Sequence, residues 1–289
     1  MQDVRYAKAS SVEDAIDLLN KGGPAARVLA GGTDIIIQAR ERRREVNLFV
    51  DIKDIPETQG INYDPAKGLT IGAATPAYRI YNNEDVKRHY PALVQAVSVI
   101  GGVAIQGRAS LGGNLCNSGP AADSVPAMIV LQGTATIAGP NGRRSVAIED
   151  FNTGPGRNIL EPGEFVVSLH FPATAPNSGA GWERFIPRNE MDIAVVNAAS
   201  YLRFDGDNVA DARIAIGAVA PKCLLVDAAA QALIGKPLTD ETIAAAGAAA
   251  KEAATPIDDM RGTIKQRKHL SDVLVQRTLR LAAQRARGG

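Results

Sequence analysis

Between residues 101 and 120 the chain reads Gly101-Gly102-Val103-Ala104-Ile105-Gln106-Gly107-Arg108-Ala109-Ser110-Leu111-Gly112-Gly113-Asn114-Leu115-Cys116-Asn117-Ser118-Gly119-Pro120, six glycines among apolar and small polar residues. A helix predicted over residues 91–100 should stop at Gly101-Gly102, and regular structure is expected to be interrupted from there to Pro120. Loops of that length without secondary structure of their own are uncommon in compact domains and are usually functional or disordered. The apolar residues between the glycines argue for function, because mobile surface loops seldom carry so many. Many backbone amides beside small hydroxyl and amide side chains suit a bulky polar ligand.

A second glycine turn stands earlier. Gly31-Gly32-Thr33-Asp34 follows the apolar run Val28-Leu29-Ala30 and precedes a helix predicted from Thr33 through Arg40. Amides and a helix N-terminus at such a place can converge on phosphate oxygens, and glycine permits close backbone approach. The spacing is neither G-x-G-x-x-G nor that of a Walker A loop. Taken alone, the segment reads first as a plain tight turn, with an anion cradle as the other reading.

The surrounding pattern alternates helix and strand periods. Ser11 stands as N-cap to a helix bearing Val12, Ala15, Ile16 and Leu19, closed by Gly22-Gly23-Pro24, and Leu48-Phe49-Val50 reads as a strand. Residues 1–54 therefore form one expected subdomain. In residues 55–175, strands are predicted at 69–73 and 165–171, helix starts at Thr75-Pro76 and Ala121-Ala122, and an antiparallel pair at 134–137 and 145–148 around Pro140-Asn141-Gly142. Residues 172–181 have linker composition and mark the main boundary. In residues 176–289, a hairpin of strands 195–202 and 212–219 turns at Asp205-Gly206-Asp207-Asn208, and alanine-rich helices are expected over 226–234, 240–254 and from Lys265 onward.

At 289 residues, two or three units are a better expectation than one. A net charge of +1 gives no global reason to expect nucleic acid or an anionic membrane as partner. The densest basic run, Arg40-Glu41-Arg42-Arg43-Arg44, reads as a solvated helix end, a subunit contact or an anion site. Two cysteines, Cys116 and Cys223, make neither a disulfide framework nor a metal site by themselves, and a reducing compartment fits them. The stretch from Met1 to Tyr6 has no apolar core of signal-peptide length, and no run approaches the ~20 apolar residues of a membrane span, so a cytoplasmic location is expected.

Several motifs in order carry a family resemblance: Leu29-Ala30-Gly31-Gly32-Thr33-Asp34, Thr70-Ile71-Gly72-Ala73-Ala74-Thr75, Ala109-Ser110-Leu111-Gly112-Gly113-Asn114-Leu115 and Ala122-Asp123-Ser124-Val125-Pro126-Ala127. Phe151-Asn152-Thr153-Gly154, Leu160-Glu161-Pro162-Gly163-Glu164 and Arg188-Asn189-Glu190-Met191-Asp192-Ile193-Ala194 continue it. The chain resembles the medium subunits of the xanthine dehydrogenase and carbon monoxide dehydrogenase family over nearly its whole length. That resemblance implies an α+β architecture: a vanillyl-alcohol-oxidase (PCMH)-type FAD-binding fold of two α/β subdomains, plus a C-terminal α/β domain with an antiparallel sheet and helices. Residues Ala30 through Asp34 and Gly112 through Asn114 would hold the FAD pyrophosphate, with hydroxyl contacts from Thr33 and Ser110. Leu29, Ile35, Thr75, Ala109 and Cys116, in or beside the matched segments, complete the expected contacts; Cys116 reads as packing rather than redox.

By the same resemblance, Asp123 would accept hydrogen bonds from ribityl or ribose hydroxyls, with a generic helix cap as its other reading. Ile159 and Leu160 match positions near the adenine or isoalloxazine. Arg184 matches a basic residue near the isoalloxazine in some members, where a cation can stabilise the anionic reduced flavin; a surface salt bridge is the other reading. Where some members place a tyrosine against the flavin, this chain has Ile193, which excludes ring stacking and leaves apolar shielding. Two cysteines cannot ligate the four-iron cluster of the 4-hydroxybenzoyl-CoA reductase branch, and none of His89, His170 and His269 falls in a flavin segment, so covalent attachment is not expected.

The family implies partners: a large subunit carrying molybdopterin and a small subunit carrying two 2Fe-2S clusters, in a heterotrimer or a dimer of heterotrimers. Electrons would pass from the clusters through FAD on this chain to an external acceptor. The alternatives are a self-contained flavin enzyme of the same fold, resembling the UDP-N-acetylenolpyruvoylglucosamine reductases, and a scaffold subunit that has lost FAD.

Overall fold

In the computed structural model, which describes residues 3–288, the first helix starts and stops where its sequence signals stand. Met1 and Gln2, at the head of the N-terminal stretch read above, and Gly289 lie outside the described residues. The Ser11 hydroxyl accepts from the Asp14 amide at 3.1 Å, and Gly23, at φ +70°, closes the helix. The first unit runs β1 (Arg5–Lys8), α1 (Val12–Gly22), β2 (Ala26–Leu29), α2 (Ile35–Arg40) and β3 (Leu48–Asp51). Its three strands are parallel in the order β1-β3-β2, and α1 buries Val12, Ala15 and Leu19 in a core with Leu48, Val50 and Ile52. That core also takes in Ala138, Phe165 and Val167 from the next unit, so the two share one apolar interior.

The second unit contains β4 (Ile61–Asp64), β5 (Gly68–Gly72), α3 (Ala77–Tyr81), α4 (Glu84–His89), α5 (Pro91–Val97), α6 (Val103–Gln106), α7 (Leu111–Asn117), α8 (Val125–Val130), β6 (Thr134–Gly139), β7 (Gly142–Ala147), α9 (Ile148–Phe151), β8 (Asn152–Gly154), β9 (Arg157–Asn158) and β10 (Phe165–Phe171). Five strands form an antiparallel sheet in the order β4-β5-β10-β6-β7. The segment expected to be irregular, 101–120, carries two short helices, α6 and α7. Ser110 caps α7 by accepting from the Gly113 amide at 3.1 Å, and Leu111 and Leu115, one turn apart, are wholly buried. Core burial there overrides the poor helix propensity of Gly112 and Gly113.

The third unit contains β11 (Ser178–Phe185), β12 (Val196–Asp205), β13 (Asn208–Gly217), β14 (Leu224–Leu225), α10 (Asp227–Gln231), α11 (Asp240–Ala253) and α12 (Ile264–Ala286). Its antiparallel sheet has the order β11-β12-β13-β14, and β11 begins inside the stretch expected to be linker. Along β12, Val196, Ala198 and Leu202 join a core with Val275 and Leu279 of α12, whereas Ala199 joins the core of the second unit. With both faces covered, β12 is buried almost continuously from Val196 to Phe204 instead of on alternate residues. Among the described residues no helix is long and apolar enough to cross a membrane.

Arg267, near the start of α12, is 4% exposed. Its Nη1 donates to the Val195 carbonyl at 2.7 Å and the Ala218 carbonyl at 3.0 Å, and its Nη2 pairs with Asp259 at 2.7 Å. One guanidinium thus fastens α12 to the start of β12 and to the turn after β13. Arg267→Met should retain volume but leave two carbonyls unpaired, at a cost of roughly 2–4 kcal/mol. The expected outcome is a melting temperature lower by several degrees, read by differential scanning calorimetry; an unchanged transition would contradict this role.

Candidate functional site

The two glycine turns lie against each other. A Cβ on Gly31 would overlap the carbonyl oxygen of Arg108, and the Arg108 Nε donates to the Gly31 carbonyl at 3.4 Å. Gln38 Nε2 donates to Asn117 Oδ1 at 3.1 Å, and Asn117 Nδ2 donates to Asp34 Oδ1 at 3.3 Å, tying α2 to α7. Beside this junction opens a cleft of about 680 Å³ between the first and second units, a size typical of small-molecule sites.

Of the residues expected from sequence, Ala30, Gly31, Gly32, Thr33, Asp34, Ile35, Ala109, Ser110, Gly112, Gly113, Asn114, Cys116 and Leu160 line the cleft. Among the described residues, the amides of Gly31, Gly32, Thr33 and Asp34 find no backbone carbonyl partner. Four successive donors are therefore left for a ligand or water. Asn114 Oδ1 accepts from the Ser124 hydroxyl at 2.6 Å and the Ser124 amide at 3.3 Å, which leaves Nδ2 as the donor this side chain offers.

The glycines divide by cause. At Gly31 the Arg108 backbone excludes a side chain, and at Gly112 an added Cβ would stand 2.6 Å from both the Cβ and the carbonyl oxygen of Ala73. At Gly113 an added Cβ would meet only Ser110 Oγ, at 3.1 Å, outside its own helix. Packing thus demands glycine at 31 and 112, while at 113 the protein's own neighbours make a weaker demand. A ligand approaching the backbone is a sufficient reason for that third glycine.

Six expected residues are not part of this lining: Leu29, Thr75, Asp123, Ile159, Arg184 and Ile193. Leu29 is buried beneath the turn, and Thr75 is wholly buried with its hydroxyl donating to the Gly60 carbonyl at 3.0 Å. Ile159 packs against the core of the second unit, and Ile193 is 52% exposed. Arg184 Nη1 and Asp123 Oδ1 pair at 2.9 Å, with side chains only 8% and 14% exposed. This is neither a surface salt bridge nor two independent side chains, since each is the other's partner. Burial raises the Asp123 carboxyl to about 6 even though Arg184 draws it down.

The cleft also uses residues not among its expected contacts, among them Arg27, Gln38, Asn117 and Asn158, together with Arg44 of the basic run. Asn158 Nδ2 donates to the Cys116 carbonyl at 3.1 Å and Ser118 Oγ at 3.2 Å, and its Oδ1 accepts from the Leu160 amide at 3.1 Å. Arg44, the last residue of the basic run, donates to the Gly156 carbonyl at 3.4 Å across the units. Its charge, together with burial as the larger cause, lowers the Arg27 guanidinium pKa. Asn117 had a usable signal in its place within the glycine segment; Arg27 and Asn158 had none. Burial pushes the Cys116 thiol up to about 12, so it is protonated and fits packing better than redox chemistry.

Comparisons with known proteins extend over this whole architecture. Residues 2–174 match the family model described as the FAD binding domain in molybdopterin dehydrogenase, and residues 184–282 match the CO dehydrogenase flavoprotein C-terminal domain. The xanthine dehydrogenase FAD-binding subunit of Escherichia coli O157:H7 is 33% identical over 284 residues, covering 98% of this chain and 97% of that one. The carbon monoxide dehydrogenase medium chain of Hydrogenophaga pseudoflava is 30% identical, covering 96% of each. The solved carbon monoxide dehydrogenase from Hydrogenophaga pseudoflava superposes with a TM-score of 0.94 at 31% identity, over 99% of this chain and 98% of that one. Quinoline 2-oxidoreductase from Pseudomonas putida 86 gives 0.91 at 29% identity, over 99% of each chain.

Fold and cleft together define a flavoprotein subunit of an oxidoreductase, with an α+β FAD-binding fold. More narrowly, the chain belongs to the family of FAD-binding medium subunits of xanthine and carbon monoxide dehydrogenases.

The Asp123 carboxyl has a folded pKa of about 6, above the ~3.9 of a solvated aspartate. Its contribution to stability is therefore present in full below about pH 4 and is lost as pH rises through about 6. Arg184→Gln removes the one charge that holds this pKa down, so the carboxyl should titrate above its wild-type value and the loss should move to higher pH. Carboxyl-selective NMR titration checks this, and a midpoint that does not move would refute the coupling.

Proposed function

We propose that the cleft between the two glycine turns holds the diphosphate part of FAD, and that the chain is the electron-exit subunit of a heteromeric molybdenum hydroxylase. The observation that carries the reading is the run of four amides without backbone partners beside Gly113, in a chain that matches flavoprotein subunits along its length. In this reading the amides of Gly31 to Asp34 and the Asn114 Nδ2 donate to phosphate oxygens, assisted by the hydroxyls of Thr33 and Ser110. Gly113 lets the phosphates reach the backbone, and Ile35 and Leu160 exclude water from the bound cofactor. We assign Asp123 to the cofactor hydroxyls, Arg184 to the isoalloxazine end, and Ile159 and Ile193 to apolar shielding of the ring. When bound, FAD supplies two-electron redox chemistry with single-electron steps open to it, while the protein sets its position and potential.

The partners proposed are a small subunit with two 2Fe-2S clusters, which delivers electrons, and a large molybdopterin subunit, which hydroxylates the substrate. The assembly would be a heterotrimer or a dimer of heterotrimers. A medium chain of carbon monoxide dehydrogenase among the relatives supports a multi-subunit assembly. The match of residues 184–282 to the CO dehydrogenase flavoprotein domain favours it over a self-contained flavin enzyme. The free cysteines Cys116 and Cys223 are consistent with the cytoplasm.

The chain, purified with its partners, should release about one FAD per copy on denaturation. A folded, colourless complex with no releasable flavin would sink the flavoprotein reading. Gly113→Val should lower FAD affinity at least about tenfold, equivalent to ~1.4 kcal/mol, by filling the space reserved for the phosphates. Unchanged occupancy in a folded variant would exclude that placement.

A further inference from the structure

The third unit grips the stretch that follows α7, although it contributes no residue to the cleft lining. The Ala218 amide donates to the Pro120 carbonyl at 2.7 Å, and the Cys223 thiol donates to the same oxygen at 3.6 Å. Asn197 Nδ2 donates to the Ala122 carbonyl at 3.1 Å, and Arg184 pairs with Asp123. Bonds from β11, β12 and the residues after β13 thus converge on residues 120–123. Asn197 is wholly buried, faces Gly217 across the β12–β13 ladder, and its oxygen stands where a Gly217 Cβ would have to be.

The residue after the gripped stretch is Ser124, also wholly buried. Its hydroxyl and amide both donate to Asn114 Oδ1, which decides that the Asn114 amide offers its NH2 group to the cleft. A chain of contacts therefore runs from β12 through Ala122 and Ser124 to a cleft-lining donor on α7.

We infer that Asn197 is a positioning residue for FAD binding. By fixing the Ala122 carbonyl it sets Ser124 against Asn114, and so determines from outside the cleft how the Asn114 amide meets the phosphates. The inference rests on the cleft being the FAD site. It couples the third unit to the phosphate end of the site, a cleft to which that unit contributes no lining residue.

The test is a double-mutant cycle on the full-length chain in its complex, reading the FAD dissociation constant after removal and re-addition of flavin. Asn197→Ala and Ser124→Ala should each weaken FAD binding, by up to about tenfold. The double variant should bind no more weakly than the weaker single one, because both act through Asn114. A buried residue that matters only for stability would lower the melting temperature without this coupling in affinity. Unaltered affinity in either single variant, or effects that multiply in the double one, would overturn the inference. Should Asn197→Ala not fold, Asn197→Asp keeps the side-chain shape while replacing the donating NH2 with oxygen, and the same cycle applies. Wild-type chain that fails to rebind FAD would sink the site reading itself, whereas normal wild-type binding with uncoupled variants sinks only the role of Asn197.

Discussion

The close approach of the Gly31 turn to the Arg108 backbone is the contact on which the site depends. A side chain at position 31 would stand where the Arg108 carbonyl stands, so the two turns can touch only because that Cβ is missing. Once they touch, α2 and α7 are placed side by side and the Gln38–Asn117–Asp34 bonds can close between them. Gly31 to Asp34 then line the same cleft as Gly113 and Asn114.

The sheet of the third unit extends this constraint. Small residues along β12 let α12 lie on one face and the second unit on the other, so Ala198 and Ala199, adjacent in sequence, serve different cores. That double burial brings Asn197 and Arg184 against residues 120–123, immediately before the serine that orients Asn114. The second and third units are therefore joined immediately before the residue that bonds Asn114 in the cleft lining. The Asp123–Arg184 pair shows the cost of such a junction, because burial raises the carboxyl despite an adjacent guanidinium.

Much of the fold was legible locally. Ser11 and Gly23 bound α1, the β6–β7 and β12–β13 hairpins turn where glycine and asparagine stand, and the alanine-rich stretches are helices α11 and α12. Helices α6 and α7 were not, because their glycines lower local helix propensity and only burial of Leu111 and Leu115 restores it. Strand β11 was obscured by Gly179 and Gly181 beside a proline-rich stretch, and it exists because β12 pairs along its whole length. Arg27 and Asn158 had no local mark of a ligand role, since each reaches the cleft only through the packing of distant elements.

The order of several short motifs along the chain, the two glycine segments among them, carried the family and its cofactor, because each motif is a local property of the chain; taken singly, the Gly31-Gly32 segment left a plain turn open. Tertiary structure alone decided what each glycine is for. Gly31 and Gly112 answer to neighbouring backbone and side-chain atoms, while at Gly113 the neighbouring atoms press less closely. It also decided that Asp123 and Arg184 face each other and that Asn114 turns its NH2 to the cleft. Those outcomes depend on atoms far apart in sequence meeting within hydrogen-bonding distance, which no local pattern encodes.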